Sequence, residues 1–205
     1  MRHNDVDGTD RRTLGEIKSY PTPQKLCGQI VSSSGWPYKD KDNEDFYLKR
    51  DRALVSLLYL LALRISEGLR LTRKQFSIDQ KNDRIKVESI KLSKPRKKGK
   101  PRKHEYRLEA WLPLKGEREP FTRLVMDYLE LLGPEDRLFS FGNSRALQIT
   151  HAILGIPCHW LRAYGEDYLY EMWDHDILAV ADYVKVEPRT LQEYIRKGYE
   201  KYGAA

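Results

Sequence analysis

Apolar residues recur along this chain with two different periods. Ala53, Leu54, Leu57, Leu58 and Leu61 return at the spacing that lines one face of a helix and predict a helix over 46–62, with a second helical stretch at 66–71. The period then changes. Ile85, Val87 and Ser89 alternate with the charged Lys86 and Glu88, and a second extended run covers 106–112, which together predict a β-hairpin. Helical spacing returns at Phe121, Leu124, Val125, Tyr128, Leu129 and Leu132, and Gly133-Pro134 supplies a stop signal. Three more helices are expected at 144–154, 159–171 and 176–184. A last one starts near Pro188, where a missing N–H costs nothing in the first turn.

The first 45 residues read differently. They are polar and rich in turn formers (Pro21, Pro23, Ser32-Ser33-Ser34-Gly35, Pro37), which predicts an arm or small irregular subdomain ahead of a larger body at 46–205. The Asp5, Asp7 and Asp10 cluster lacks the spacing and closing glutamate of a calcium loop and reads as a solvated terminus. The fold class that follows is α+β, mainly helical, with a small antiparallel hairpin or sheet.

Composition narrows the partners. The 205 residues carry 37 Lys plus Arg against 30 Asp plus Glu, a formal charge of +7, which suits a polyanion such as nucleic acid. The longest apolar run, Ala53 to Leu63, is interrupted by Ser56 and falls well short of the roughly 20 residues that span a bilayer. No apolar signal region opens the chain, and its two cysteines, Cys27 and Cys158, lack Cys-x-x-Cys spacing. A soluble, cytoplasmic protein without a membrane partner is expected.

Two groups of residues carry chemistry. The hairpin connection holds Lys91, Lys94, Arg96, Lys97, Lys98, Lys100, Arg102 and Lys103 with no acid among them, broken by Pro95, Gly99 and Pro101. Such a run cannot pack a core, and phosphates would relieve its self-repulsion while releasing counterions, so it is expected to contact DNA. The second group is Arg64 in Leu61-Ala-Leu-Arg-Ile-Ser-Glu67, His159-Trp-Leu-Arg162, and Tyr194.

This second group resembles the tyrosine recombinase (phage integrase) family, whose signatures read Thr-Gly-Leu-Arg-x-x-Glu and His-x-x-Arg followed by a nucleophilic tyrosine. Tyr194 lies 32 residues beyond Arg162, the separation usual in that family. The position about nine residues before the tyrosine, often histidine or tryptophan, is Lys185, as in some archaeal viral members. Ala62 replaces the usual glycine and Ala163 a frequent histidine. The resemblance covers the body from about Asp45 onward. It implies the catalytic-domain fold and a site-specific recombinase or integrase that needs neither metal nor cofactor. Arg64 and Arg162 would hold the phosphodiester's non-bridging oxygens and stabilise its more highly charged transition state. His159 would serve in acid–base work, Lys91 would protonate the leaving 5′-oxygen with Lys94 as the alternative, and Tyr194 would form a 3′-phosphotyrosyl link. Lys185 would complete the catalytic set, and Glu67 is expected to support the helix without doing chemistry. The partner implied is double-stranded DNA, with self-association into tetramers on it. Members usually carry a helical clamp domain of about a hundred residues ahead of this region. Only about 45 residues precede it here, so weak cleavage or dependence on a partner is expected.

Two other readings use the same chain. Residues 177–195 also suit a helix-turn-helix, in which Arg189, Gln192 and Arg196 face DNA and Tyr194 does no chemistry. A basic protein bound to RNA or ribosomes would use the lysine-rich tip alone. The discriminating feature is whether Arg64, His159 and Arg162 converge on Tyr194.

Overall fold

The computed structural model describes residues 20–92, 107–189, 191 and 192. Seven helices and three strands are named among them: α1 (Pro23–Ser32), α2 (Glu44–Leu60), α3 (Ile65–Gly68), β1 (Phe76–Asp79), β2 (Arg84–Lys91), β3 (Arg107–Pro113), α4 (Glu119–Leu129), α5 (Asn143–Leu154), α6 (Cys158–Met172) and α7 (Ile177–Val184). This is the mainly helical α+β architecture expected from the sequence.

The core is built around α2. Every residue from Ala53 to Leu60 is buried, Ser56 included, because α1, α4, α5 and α6 all pack against this helix. A helix apolar around most of its circumference needs such all-round cover. α4 presents Phe121, Val125, Tyr128 and Leu129 to it, and the Tyr128 hydroxyl donates to the Leu138 carbonyl, tying the loop after α4 back to the core. A smaller cluster of Ala62, Leu169, Val180, Ala181, Val184 and Leu191 joins the end of α2 to α6, α7 and the start of the next helical segment.

Three differences from the sequence reading have physical causes. Within the segment expected to be irregular, 23–32 is helical. Thr22 caps its start, Pro23 takes the first turn, and Leu26 and Ile30 enter the main core, a four-residue spacing too short to register as a pattern. The stretch 66–71 is helical only to Gly68. The amides of Arg70 and Leu71 turn back to the carbonyls of Glu67 and Gly68 in tighter turns, and Thr72 then bridges to Arg137. The hairpin is part of a three-stranded antiparallel sheet, order β1-β2-β3, with β2 at the centre and the four-residue β1 as its unforeseen edge.

Strict alternation also fails in β2. The register shifts between Val87 and Ile90, and Ser89 adopts φ +54° in a bulge. The side-chain amide of Gln75 donates through Nε2 to the Glu88 and Ser89 carbonyls, satisfying the displaced backbone. The extra residue changes which parity faces inward. Ile85, Val87 and then Ile90 are buried, so Lys91 emerges on the exposed side instead of sharing the buried face of Val87.

Candidate active site

Arg64 sits at the turn where α2 gives way to α3, and that turn is held from three sides. Leu61 ends α2, and Ala62 adopts the left-handed conformation, φ +48°, where the resembling family has glycine. The Arg118 guanidinium reaches the α2 terminus and donates to the carbonyls of Leu60 and Tyr59, at 2.5 and 3.3 Å. Its charge lies over the rings of Tyr59 and Tyr168, at 4.9 and 4.5 Å, and it is buried to 5% exposure. A cation at a helix C-terminus is favoured by the helix dipole, here reinforced by two aromatic faces. On the third side Gly165 of α6 meets the Tyr59 carbonyl so closely that a Cβ there would lie 2.3 Å from the oxygen.

Glu67, one turn beyond Arg64 and 1% exposed, binds both arginines. One oxygen accepts the Arg64 backbone N–H at 2.8 Å and the other its guanidinium at 3.1 Å, while Arg162 of α6 lies 3.5 Å away. The sequence reading gave Glu67 a supporting part only, and the geometry adds that its carboxylate links α3 to α6. Arg162 makes its shortest contact elsewhere. Its Nε donates to Glu166 Oε1 at 2.7 Å and a terminal nitrogen donates to the Val184 carbonyl at 3.2 Å. Burial pushes the Glu166 carboxyl up, against the pull of Arg162.

His159 precedes Arg162 by three residues on α6, so the two share a helix face. Both of its ring nitrogens are covered and have no hydrogen-bond partner among the described residues, and burial lowers its pKa to about 4. A neutral imidazole offers one N–H donor and one acceptor nitrogen. Lys185 ends α7 in the left-handed conformation, next to the Val184 carbonyl that holds Arg162, and its ammonium pairs with Asp182 at 2.7 Å.

The structure therefore brings Arg64 and Arg162 together at Glu67, with His159 one turn before Arg162 on α6 and Lys185 adjoining through the backbone. Lys91 ends β2, exposed and opposite Arg107. Tyr194 and Arg196 lie outside the described residues, as do Lys94, Arg96, Lys97, Lys98, Lys100, Arg102 and Lys103. Leu191, three residues before Tyr194, is fully buried beside Ala62 and Val184, while Arg189 and Gln192 are exposed. Sequence reasoning missed Glu166 and Arg118. The first carried a faint signal, an acid four residues after a basic residue on one helix. The second carried none, because its partners are backbone carbonyls and ring faces.

The fold is that of the catalytic domain of tyrosine recombinases. Two solved structures share it: the XerH site-specific recombinase bound to its difH substrate before cleavage, at TM-score 0.60 and 16% identity over 91% of this chain, and the same recombinase on a palindromic difH substrate after cleavage, at TM-score 0.58 and 16% identity over 97%. This chain spans about half the length of those proteins, 53% and 55%. No family model matches the sequence, and no curated protein does. Among the described residues no helix is long and apolar enough to cross a membrane.

Proposed function

We propose that this chain is a DNA strand-exchange enzyme of the tyrosine recombinase family, a site-specific recombinase or integrase that breaks and rejoins strands through a 3′-phosphotyrosyl intermediate. One observation carries the reading. Arg64 and Arg162, nearly a hundred residues apart in sequence, are tied to the same buried carboxylate, with an imidazole one turn before the second that has no partner among the described residues. A core ion pair has no need of a second arginine or of an unsatisfied histidine beside it, whereas a phosphate site uses both.

In this mechanism the guanidiniums of Arg64 and Arg162 bind the non-bridging oxygens of a DNA phosphodiester. The Tyr194 hydroxyl attacks phosphorus and loses its proton to His159. The bond to the 5′-oxygen breaks, and Lys91, or Lys94 beyond it, supplies that oxygen's proton. An anionic phosphate beside His159 raises its pKa from about 4, so the ring takes the proton only with substrate in place. Lys185 adds positive charge from the α7 terminus, the arrangement that resembles archaeal viral members. Lys94, Arg96, Lys97, Lys98, Lys100, Arg102 and Lys103 hold the duplex backbone, and the active assembly is a tetramer on two DNA sites, DNA-associated in the cytoplasm.

A nicked duplex suicide substrate, incubated without metal and resolved on a denaturing gel, tests this. A covalent protein–DNA adduct with the wild type, absent from Tyr194→Phe, is expected. DNA binding without any adduct across varied sequences would instead favour a helix-turn-helix reader, for which the exposed Arg189 and Gln192 are available.

A further inference from the structure

Arg162 is anchored unevenly, and the unevenness singles out one residue. Of its two carboxylate neighbours, Glu67 stands at 3.5 Å, beyond a good hydrogen bond, while Glu166 accepts from Nε at 2.7 Å. The Val184 carbonyl takes one terminal nitrogen. Nε and a terminal nitrogen therefore fix the guanidinium plane, and among the described residues N–H groups on its two terminal nitrogens remain for a ligand. Glu166 has its side chain 4% exposed, and Arg162 supplies its hydrogen bond from the same helix, one turn back. Glu67 is committed first to Arg64, through both backbone and side chain.

We propose that Glu166 is the positioning residue of the phosphate clamp. It fixes the Arg162 guanidinium in the plane that presents its terminal N–H groups to the scissile phosphate, and it acts through the reach of its oxygen to Nε more than through its charge. The inference rests on the phosphate-clamp reading, although the Glu166 anchor itself can be observed independently of it. A guanidinium free to rotate about its last bonds must be ordered during the reaction, and misplacement of a clamp by about 1 Å can cost about a hundredfold in rate.

Three variants separate reach from charge. Glu166→Gln keeps the length and one acceptor but loses the charge. Glu166→Asp keeps the charge but is one methylene short, and Glu166→Leu loses both. Each is checked for folding by circular dichroism, then assayed for single-turnover cleavage of the suicide substrate and for DNA affinity. The expected result is a Gln variant within about fivefold of wild type, with Asp and Leu slower by about tenfold to a hundredfold at nearly unchanged DNA affinity. Asp performing better than Gln would mean that charge balance is what matters and would overturn the proposal. Equal rates for all variants would overturn it as well. If the leucine variant does not fold, the order of Asp and Gln decides alone. A nitrogen-15 spectrum of the Arg162 Nε–H, assigned by its loss in Arg162→Lys, gives a readout that needs no catalysis. The signal should persist in Gln and disappear in Asp and Leu, and persistence in all three would overturn the proposal. Absence of any adduct with the wild-type protein would count against the recombinase reading while leaving this spectral test standing.

Discussion

Gly165→Ala offers a test in which two forces pull in opposite directions. Gly165 lies inside α6, where alanine in place of glycine ordinarily stabilises a helix by about 1 kcal/mol. Against that gain, the added Cβ would lie 2.3 Å from the Tyr59 carbonyl oxygen and 3.2 Å from both Cα and Cβ of Ala62. An ordinary carbon–oxygen contact needs about 3.3 Å, so α6 and the end of α2 must part by about 1 Å. The obstacle is backbone and cannot rotate aside, which places the cost at or above the upper end of the roughly 1–3 kcal/mol typical of overpacking. The net loss is then about 2 kcal/mol, or a fall in Tm of roughly 4–8 °C for a chain of this size. Thermal unfolding followed by circular dichroism reads it directly. Because the displaced carbonyl belongs to the turn that leads into Arg64 and also accepts from Arg118, single-turnover DNA cleavage should, on the proposed recombinase reading, fall as well. A variant as stable as wild type, or more stable, would show that helix propensity prevails and that the close approach of α6 to α2 does not hold the turn.

Other substitutions probe the same framework. Ala62→Gly should leave Tm within about 2 °C, since relief of roughly 1–2 kcal/mol of left-handed strain is offset by a lost buried methyl of about 0.8 and by added unfolded-state freedom. Ala62→Val, β-branched and buried at φ +48°, should lower Tm clearly in the same melt. Arg118→Ala should cost about 3 kcal/mol in urea unfolding, because it leaves two α2 carbonyls and two ring faces without their cation. His159 gives a pH signature. Above its unfolded pKa near 6.5 the ring is neutral in both states, and between 6.5 and about 4 only the unfolded chain takes the proton, so stability falls as pH drops through that window. Asp167, raised to about 6 by burial, binds its proton first in the folded state and works in the opposite direction over part of that range. The informative quantity is therefore the difference between wild type and His159→Gln, expected to be about 1–2 kcal/mol flatter in the variant after solvent screening. Parallel urea midpoints from pH 7.5 down to about 4.5 would refute the assignment.

What the sequence made legible follows from where the information sits. α2 and α4 carry their cores as repeated apolar positions, Leu54, Leu57, Leu58 and Leu61 in one and Phe121, Val125, Tyr128 and Leu129 in the other, and their bounds came out within about three residues. α1 was hidden because it contributes only Leu26 and Ile30, and β1 because a four-residue edge strand shows too little alternation to recognise. The bulge at Ser89 was hidden for a different reason. It breaks the parity on which strand reading depends, and its stabilising partner, Gln75, lies in a separate turn.

The candidate site divides along the same line. Arg64, His159 and Arg162 could be read because their residue types and spacings are themselves the signal. What holds them could not, since Gly165, Arg118 and the Val184 carbonyl act through a missing side chain, a pair of carbonyls and one backbone oxygen, none of which leaves a pattern of residue types. The consequence concerns Ala62. Glycine at that turn would relax the backbone alone. With alanine the turn must be held in its left-handed form by its surroundings, and the buried Arg118, the bare Cα of Gly165 and the buried methyl of Ala62 between them do so. Strain at Ala62 and the close packing around it are thus one feature, and substitutions at Ala62 and Gly165, whose atoms would touch at 3.2 Å, should be non-additive where distant pairs would simply sum.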